Sequence, residues 1–244
     1  MNIHINCDLG EGGDFDAQLM PFISACNIAC GGHAGTSKSM YETVCLANLN
    51  KVEIGAHPSY PDKENFGRLS LQISKKDLKD SLQHQIFNLQ NIVQSQGAKI
   101  SHFKAHGALY NDAAKDEKIA DLLIDFLLEF DDNLPLFVPQ NSVIYERGKN
   151  KIPMIFEAFA DRNYNDDYSL VSRSESHALI TQKEEVFKHV YSMIYQHKII
   201  CENEREIDCY AGTFCIHSDT PNSVEILQYL TCKLQENNLK IKKG

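Results

Sequence analysis

Six stretches of this chain end alike: an apolar run stops, and ionisable or hydrogen-bonding side chains follow at once. NIHINCDLGE ends in Asp8 and Glu11, CNIACGGHAG in His33, and VEIGAHPSYPD in His57. ISHFKAHGALYN leaves Lys104, His106 and Asn111, IPMIFEAFADR leaves Glu157, Asp161 and Arg162, and CYAGTFCIHSD leaves His217 and Asp219. Carboxylates and imidazoles in this mixture suit two chemistries. They can move protons between water and a leaving group, or supply the three or four ligands that a divalent metal needs. Lys104, Arg162 and Arg173 are cations able to hold an anionic substrate or a phosphoryl group. Taken singly, each residue has a plainer reading. A histidine after a strand often only satisfies a loop, Asp219 can cap a helix, and Arg68 and Arg173 can pin loops. Repetition at six strand ends is what points to one shared site. His4, His84, His102, His189 and His197 fall within strand bodies or helices and read as structural, while Tyr60, Tyr110 and Tyr164 either wall a pocket or simply pack.

Such a site needs elements that bring distant strand ends together, and a parallel sheet of βα units does so by gathering carboxyl ends on one rim. Strand-like runs cover residues 3–7, a segment ending at residue 29, residues 52–56, the start of ISHFKAHGALYN, and residues 134–138, 154–158 and 210–216. Helical spacing lies between them: Met40, Val44 and Ala47 behind caps at Thr36, Ser37 and Ser39; Leu78, Leu82, Ile86, Leu89 and Val93 behind Ser74 and Asp77; and Ile119 to Phe130. Thr181 with Glu184 has capping-box spacing, and Asp219 or Thr220 is placed to cap a last helix with Pro221 near its start. Two long polar loops, HPSYPDKENFGR and DRNYNDDYSLVSRSESHA, are of the kind that carries function. The βα alternation predicts an α/β fold with a parallel sheet. Pattern alone leaves a closed barrel and an open sheet both standing, and the contribution of early and late strands alike favours closure. No linker or charge block interrupts residues 1–244, so one domain is expected.

Composition narrows the partners. A net charge of −9 disfavours a nucleic-acid surface. No apolar run approaches the ~20 residues of a membrane span, and the start carries no secretion signal. Eight cysteines without a CxxC pair read as reduced, small core residues of a cytoplasmic protein. Cys7 and Cys30, beside the site motifs, are the candidates if a thiol is catalytic. Neither a GxxxxGK[ST] loop nor GxGxxG after a strand occurs, so the chain shows no nucleotide site of its own. No short ligand spacing reads as a preformed metal site. Any divalent metal is therefore assembled from separate strands, and a tightly bound structural metal is not expected.

NCDLGE, NIACGGHAG, GAHPSYPD with NFGR, KAHGALYN, EAFADRNY with LVSR, and HSDTP occur in this order. Together they resemble the LamB/YcsF family from about residue 2 to about residue 225. The resemblance implies a (β/α)7 barrel, a distorted TIM-like form similar to polysaccharide deacetylase barrels. It also implies hydrolytic opening of 5-oxo-L-proline to L-glutamate coupled to ATP hydrolysis, with ATP bound through two partner subunits, B and C. Within that reading Asp8, His57, His106 and Glu157 are catalytic. Glu11, His33, Lys104, Asn111, Asp161, Arg162, His217 and Asp219 bind the substrate. Two alternatives differ in class: a metal-dependent deacetylase or amide hydrolase acting alone, and a non-catalytic subunit that binds a small acid. The chain departs from the family pattern at Gly32, Thr36, Ser37, Leu69, Ala105, Tyr168 and Ser218, and none of these removes an ionisable candidate except Leu69, which stands where a second Arg is common.

Overall fold

A computed structural model describes residues 1–243. In chain order the strands are β1 (Asn2–Ile3), β2 (Ile5–Leu9), β3 (Ala25–Ala29), β4 (Glu53–His57), β5 (His102–Phe103), β6 (Leu136–Pro139), β7 (Met154–Phe159), β8 (Lys198–Ile200), β9 (Glu206–Asp208), β10 (Thr213–Cys215) and β11 (Lys240–Ile241). Seven of them close a barrel in the order β10-β2-β3-β4-β5-β6-β7, every pair parallel. The helices are α1 (Asp16–Leu19), α2 (Ser37–Asn50), α3 (Lys75–Ser95), α4 (Gly107–Ala113), α5 (Glu117–Phe130), α6 (Val143–Gly148), α7 (Lys183–Tyr191) and α8 (Ser223–Glu236). Their apolar stripes, such as Leu78, Leu82, Ile86, Leu89 and Val93 of α3, are buried against the barrel. Among the described residues, no helix is long and apolar enough to cross a membrane.

Two small pairings lie outside the barrel and were not legible as strands. β1 pairs with β11 in parallel, and β8 with β9 antiparallel. Helix starts follow the caps only in part. Thr36 forms a reciprocal box with Ser39, and the Ser74 hydroxyl accepts from the Asp77 backbone amide. The Thr181–Glu184 box does not form, because α7 starts after Gln182 without a side-chain cap. Nor do Asp219 and Thr220 cap the last helix. α8 starts at Ser223 after Asn222, which has φ 64°, while the Thr220 hydroxyl donates to Asp161 and Asp219 pairs with arginines.

The barrel interior holds a connected polar layer. Asn27 Nδ2 donates to Asn6 Oδ1 and to Asp8 Oδ1, both at 2.7 Å. Asn6 Nδ2 donates to Glu157 Oε1 at 2.9 Å and to the Thr213 hydroxyl at 2.8 Å. The register places Asn27, Gly55 and His102 in one row across three strands. A Cβ on Gly55 would lie 2.0 Å from His102 Nε2, so the missing side chain lets that ring cross β4 and reach Asn27 Oδ1 at 2.7 Å. His102 is structural, as its place in a strand body suggested.

Burial holds His102 at a pKa of about 3 and His189 at about 4. In the unfolded chain both return to near 6.5. As pH falls below that value the unfolded chain binds protons that the folded protein refuses, so stability declines by about 1.4 kcal/mol per pH unit per histidine until the folded-state pKa is reached. Urea unfolding at pH 7 and pH 5 should show a lower midpoint at pH 5, and His189→Leu should lose less over that interval than the parent. Equal losses in the two proteins would contradict this.

Candidate active site

The carboxyl ends of the barrel strands open into a cleft of ≈ 720 Å³. Its lining includes Asp8, Glu11, His57, Lys104, His106, Asn111, Glu157, Arg162, His217 and Asp219. His33 and Asp161 stand behind the wall. His33 Nε2 lies 2.9 Å from Glu11 Oε1. The Asp161 carboxylate grips His217 through its backbone amide at 2.9 Å and its Nδ1 at 3.0 Å. Burial alone would raise the Asp161 pKa, but His217 and its other donors hold it below the usual range.

Three tips make the innermost wall. Asp8 lies near the end of β2, His57 ends β4, and His106 stands just before α4. His57 Nε2 lies 3.4 Å from Asp8 Oδ2 and 2.9 Å from His106 Nδ1. Glu11 Oε1 lies 3.3 Å from His106 Nδ1 and 3.8 Å from His57 Nε2. Burial, reinforced by the charge of Asp8, pushes Glu11 up to about 7. Desolvation also opposes ionisation of Asp8, yet His57 and Lys104 outweigh it and keep that carboxyl well below its usual range. Burial, with His57 and His33 alongside, keeps His106 well below the ordinary imidazole value.

The first long loop sets this wall. His106 Nε2 meets the Phe66 carbonyl at 2.9 Å. Phe66 holds φ 55° and Gly67 φ 62°, an uncommon backbone for a bulky side chain such as Phe66. A Cβ at Gly67 would sit 2.9 Å from the Cβ of His33 and 3.1 Å from the His106 ring. The NFGR motif thus lets the loop press onto both histidines and delivers Arg68 to the cleft mouth.

The cations differ in how they meet the cleft. Lys104 is buried, with Nζ 2.9 Å from Asp8 Oδ1 and 3.0 Å from Glu157 Oε1, so its charge is already matched inside the barrel. Burial alone would lower its pKa, but Asp8, Cys215 and Glu157 drive it well above the usual lysine value. Arg162 donates to the carbonyls of Val171 at 2.6 Å and Ala178 at 3.2 Å and so holds the second long loop. Both line the cleft while their donors are engaged by these internal partners. Arg68 and Arg173, which also read as loop pins in the sequence, are the accessible pair. Both reach Asp219 Oδ2, at 2.5 and 3.1 Å, across the cleft mouth.

Other signals were missed or have plainer uses. Asn6 and Asn27 hold Asp8 and Glu157 in place, and their signal was spacing: Asn6 precedes Asp8, and His102 precedes Lys104, by the two residues that share a strand face. Cys30-x-x-His33 and His102-x-x-x-His106 are local spacings that metal sites use, yet neither works as a pair. The Cys30 thiol turns to the Ile28 carbonyl at 3.0 Å, and His102 turns to Asn27. Burial pushes the Cys30 thiol up to about 12 and Cys7 well above its ordinary value, which suits core residues rather than nucleophiles. On the cleft floor, Glu157 Oε2 and the Tyr110 hydroxyl are both buried, and burial, with the Glu157 carboxylate alongside, pushes the Tyr110 hydroxyl well above its ordinary pKa.

Comparison with known proteins adds a history to this geometry. The sequence profile of the LamB/YcsF family matches residues 3–244. A protein of Haemophilus influenzae (strain PittEE) named as the A subunit of 5-oxoprolinase is 40% identical over 240 residues, spanning 98% of each chain. Its namesake in Staphylococcus aureus (strain MRSA252) is 41% identical over 225 residues, 90% of each. The crystal structure of a lactam utilization protein from Thermus thermophilus superposes over 100% of both chains with a TM-score of 0.93 at 30% identity.

Proposed function

The chain belongs to the LamB/YcsF family, and from that premise we propose that it is the A subunit of a cytoplasmic, ATP-dependent 5-oxoprolinase. It is a hydrolase that opens 5-oxo-L-proline to L-glutamate as one barrel domain, in concert with partner subunits B and C. The observation that carries this reading is near-full-length similarity at about 40% identity to proteins named as the A subunit of 5-oxoprolinase, joined to a cleft walled by carboxylates and imidazoles.

A five-membered lactam is a resonance-stabilised amide with little strain, so water attacks it slowly. Phosphorylation of its carbonyl oxygen gives a better electrophile and a leaving group. This chain carries no phosphate-binding loop, so ATP acts through a partner and the barrel receives the activated ring. Water then adds to the ring carbon, the C–N bond breaks as the nitrogen takes a proton to become the amine, and a second water cleaves the resulting acyl phosphate to glutamate and inorganic phosphate. Asp8, His57 and His106 are placed to direct the water and carry its protons. Glu157 and Tyr110 form the floor beneath the ring. Arg68 and Arg173, held on Asp219 at the mouth, attract the ring carboxylate and the phosphoryl group. Asn111 and His217 complete the walls.

Reconstitution tests the reading. The isolated chain with ATP and 5-oxoproline should release no glutamate, and adding both partner subunits should give glutamate and ADP in equal amounts. Matched glutamate and ADP from the isolated chain would overturn the division of labour. No glutamate from the complete set would overturn the function.

A further inference from the structure

We propose that Glu11, His57 and His106 form a binding site for one divalent metal ion of the zinc class, open to the cleft. The sequence pattern predicts no tightly bound structural metal, and the geometry of these three side chains argues for a metal held at the reaction site instead. The site shares His57 and His106 with the lactam chemistry proposed above, and binding of the ion is tested on the isolated chain.

The two rings are fixed from behind. His57 Nδ1 lies 2.8 Å from the Lys104 carbonyl oxygen, and His106 Nε2 lies 2.9 Å from the Phe66 carbonyl oxygen. A carbonyl only accepts, so each of these nitrogens carries its hydrogen. The remaining nitrogens, His57 Nε2 and His106 Nδ1, therefore present lone pairs to each other at 2.9 Å when the rings are neutral. Glu11 Oε1 faces both, and Asp8 Oδ2 approaches His57 Nε2 from the side at 3.4 Å. Acceptors converging at such distances repel one another unless something positive sits among them.

A proton on His57 Nε2 would settle the His57–His106 contact alone. A metal ion settles the whole group. Metal-ligating histidines characteristically donate their other ring N–H to a carbonyl or carboxylate, as both rings do here. A tetrahedral zinc site with bonds of about 2.0–2.1 Å has neighbouring ligand atoms roughly 3.3 Å apart. The three separations here, 2.9, 3.3 and 3.8 Å, bracket that value. Ligand atoms of Glu11, His33, His57 and His106 all fall within 4.8 Å of one another. His33 is set apart from the ligands: its Nδ1 is buried without a partner, so it lacks the outer support of the other two rings, and its Nε2 orients Glu11. His33 also stacks on His106 with ring centroids 3.6 Å apart. Two imidazoles and one carboxylate leave a coordination position facing the cleft for water.

The test is metal binding by the full-length chain, freed of metal with a chelator and titrated with Zn²⁺ by calorimetry and with Co²⁺ by visible absorption. One equivalent of each should bind, with cobalt giving the absorption of a low-coordinate nitrogen–oxygen site. His57→Ala and His106→Ala should each weaken binding by at least about 100-fold, since loss of even an outer partner costs 10–100-fold. Glu11→Gln keeps the size of the side chain and guards against misfolding; it should weaken binding while circular dichroism stays unchanged. His84→Ala, on the outer surface of α3, should bind as the parent does. Failure of the parent to bind one equivalent, or equal affinity in the His57 and Glu11 variants, would overturn the site and assign the charge between the rings to a proton. Neither result touches the reconstitution experiment, so the two readings fail separately.

Discussion

His106→Ala should lower kcat of the assembled enzyme on the order of 10²-fold or more, the usual contribution of a group that moves protons in the transition state. The ring stands at the centre of the cleft wall, 2.9 Å from His57 Nε2 and 3.3 Å from Glu11 Oε1, and its removal loosens both. A strand-tip residue would be expected to bury little, but His106 is only 6% exposed and lies flat on His33. The substitution also frees the Phe66 carbonyl, and with it the backbone that carries Arg68. A stability loss within the ordinary range of about 0.5–3 kcal/mol is therefore expected beside the catalytic one. His106→Gln, which retains bulk and a donor, separates the two: it should fold close to the parent and still lose most of kcat. Turnover near that of the parent in either variant, measured in the complex with both partner subunits, would remove His106 from the mechanism.

The reason the sequence revealed the barrel more fully than the site lies in what periodicity records. Apolar runs such as those leading to Asp8, His57 and Glu157 must alternate with amphipathic helices if both faces of a parallel sheet are to be covered, so strand order and strand ends were legible. Closure came out as the spread of site residues favoured, with β10 joining β2 to β7. Side-chain direction is not recorded in the same way. Arg162 and Arg173 lie on one loop and are equally cationic, yet one turns inward to two carbonyls and the other outward to Asp219. Cap signals failed where a stronger tertiary partner claimed the side chain, as Asp161 did with Thr220. The asparagines escaped notice because an amide inside an apolar strand resembles an imperfection until its partners are seen. Asn6 and Asn27 matter only as a pair, and the pair exists only once β2 and β3 are in register.

Lys104→Met should cost about 3–5 kcal/mol of stability, the range for removing one partner of a buried ion pair. The lysine is 2% exposed, and its ammonium lies between Asp8 Oδ1 and Glu157 Oε1 at 2.9 and 3.0 Å. Methionine fills much of the same space, so the loss measures charge more than volume. What remains are two carboxylates at the base of the cleft, still bonded to Asn27 and Asn6 but without the cation that balances them. Activity should fall with stability, because that cation, together with His57, keeps Asp8 ionised. The paired variant Lys104→Met with Glu157→Gln removes one of the stranded charges, and it should recover part of the stability while leaving activity low. Such coupling between neighbours is what a double-mutant cycle detects. Denaturant unfolding of the two single variants and the double variant gives the measurement. A loss below about 1 kcal/mol for Lys104→Met, set against the range for a broken buried pair, or no recovery in the double variant, would mean that the two carboxylates are not held in place by this lysine.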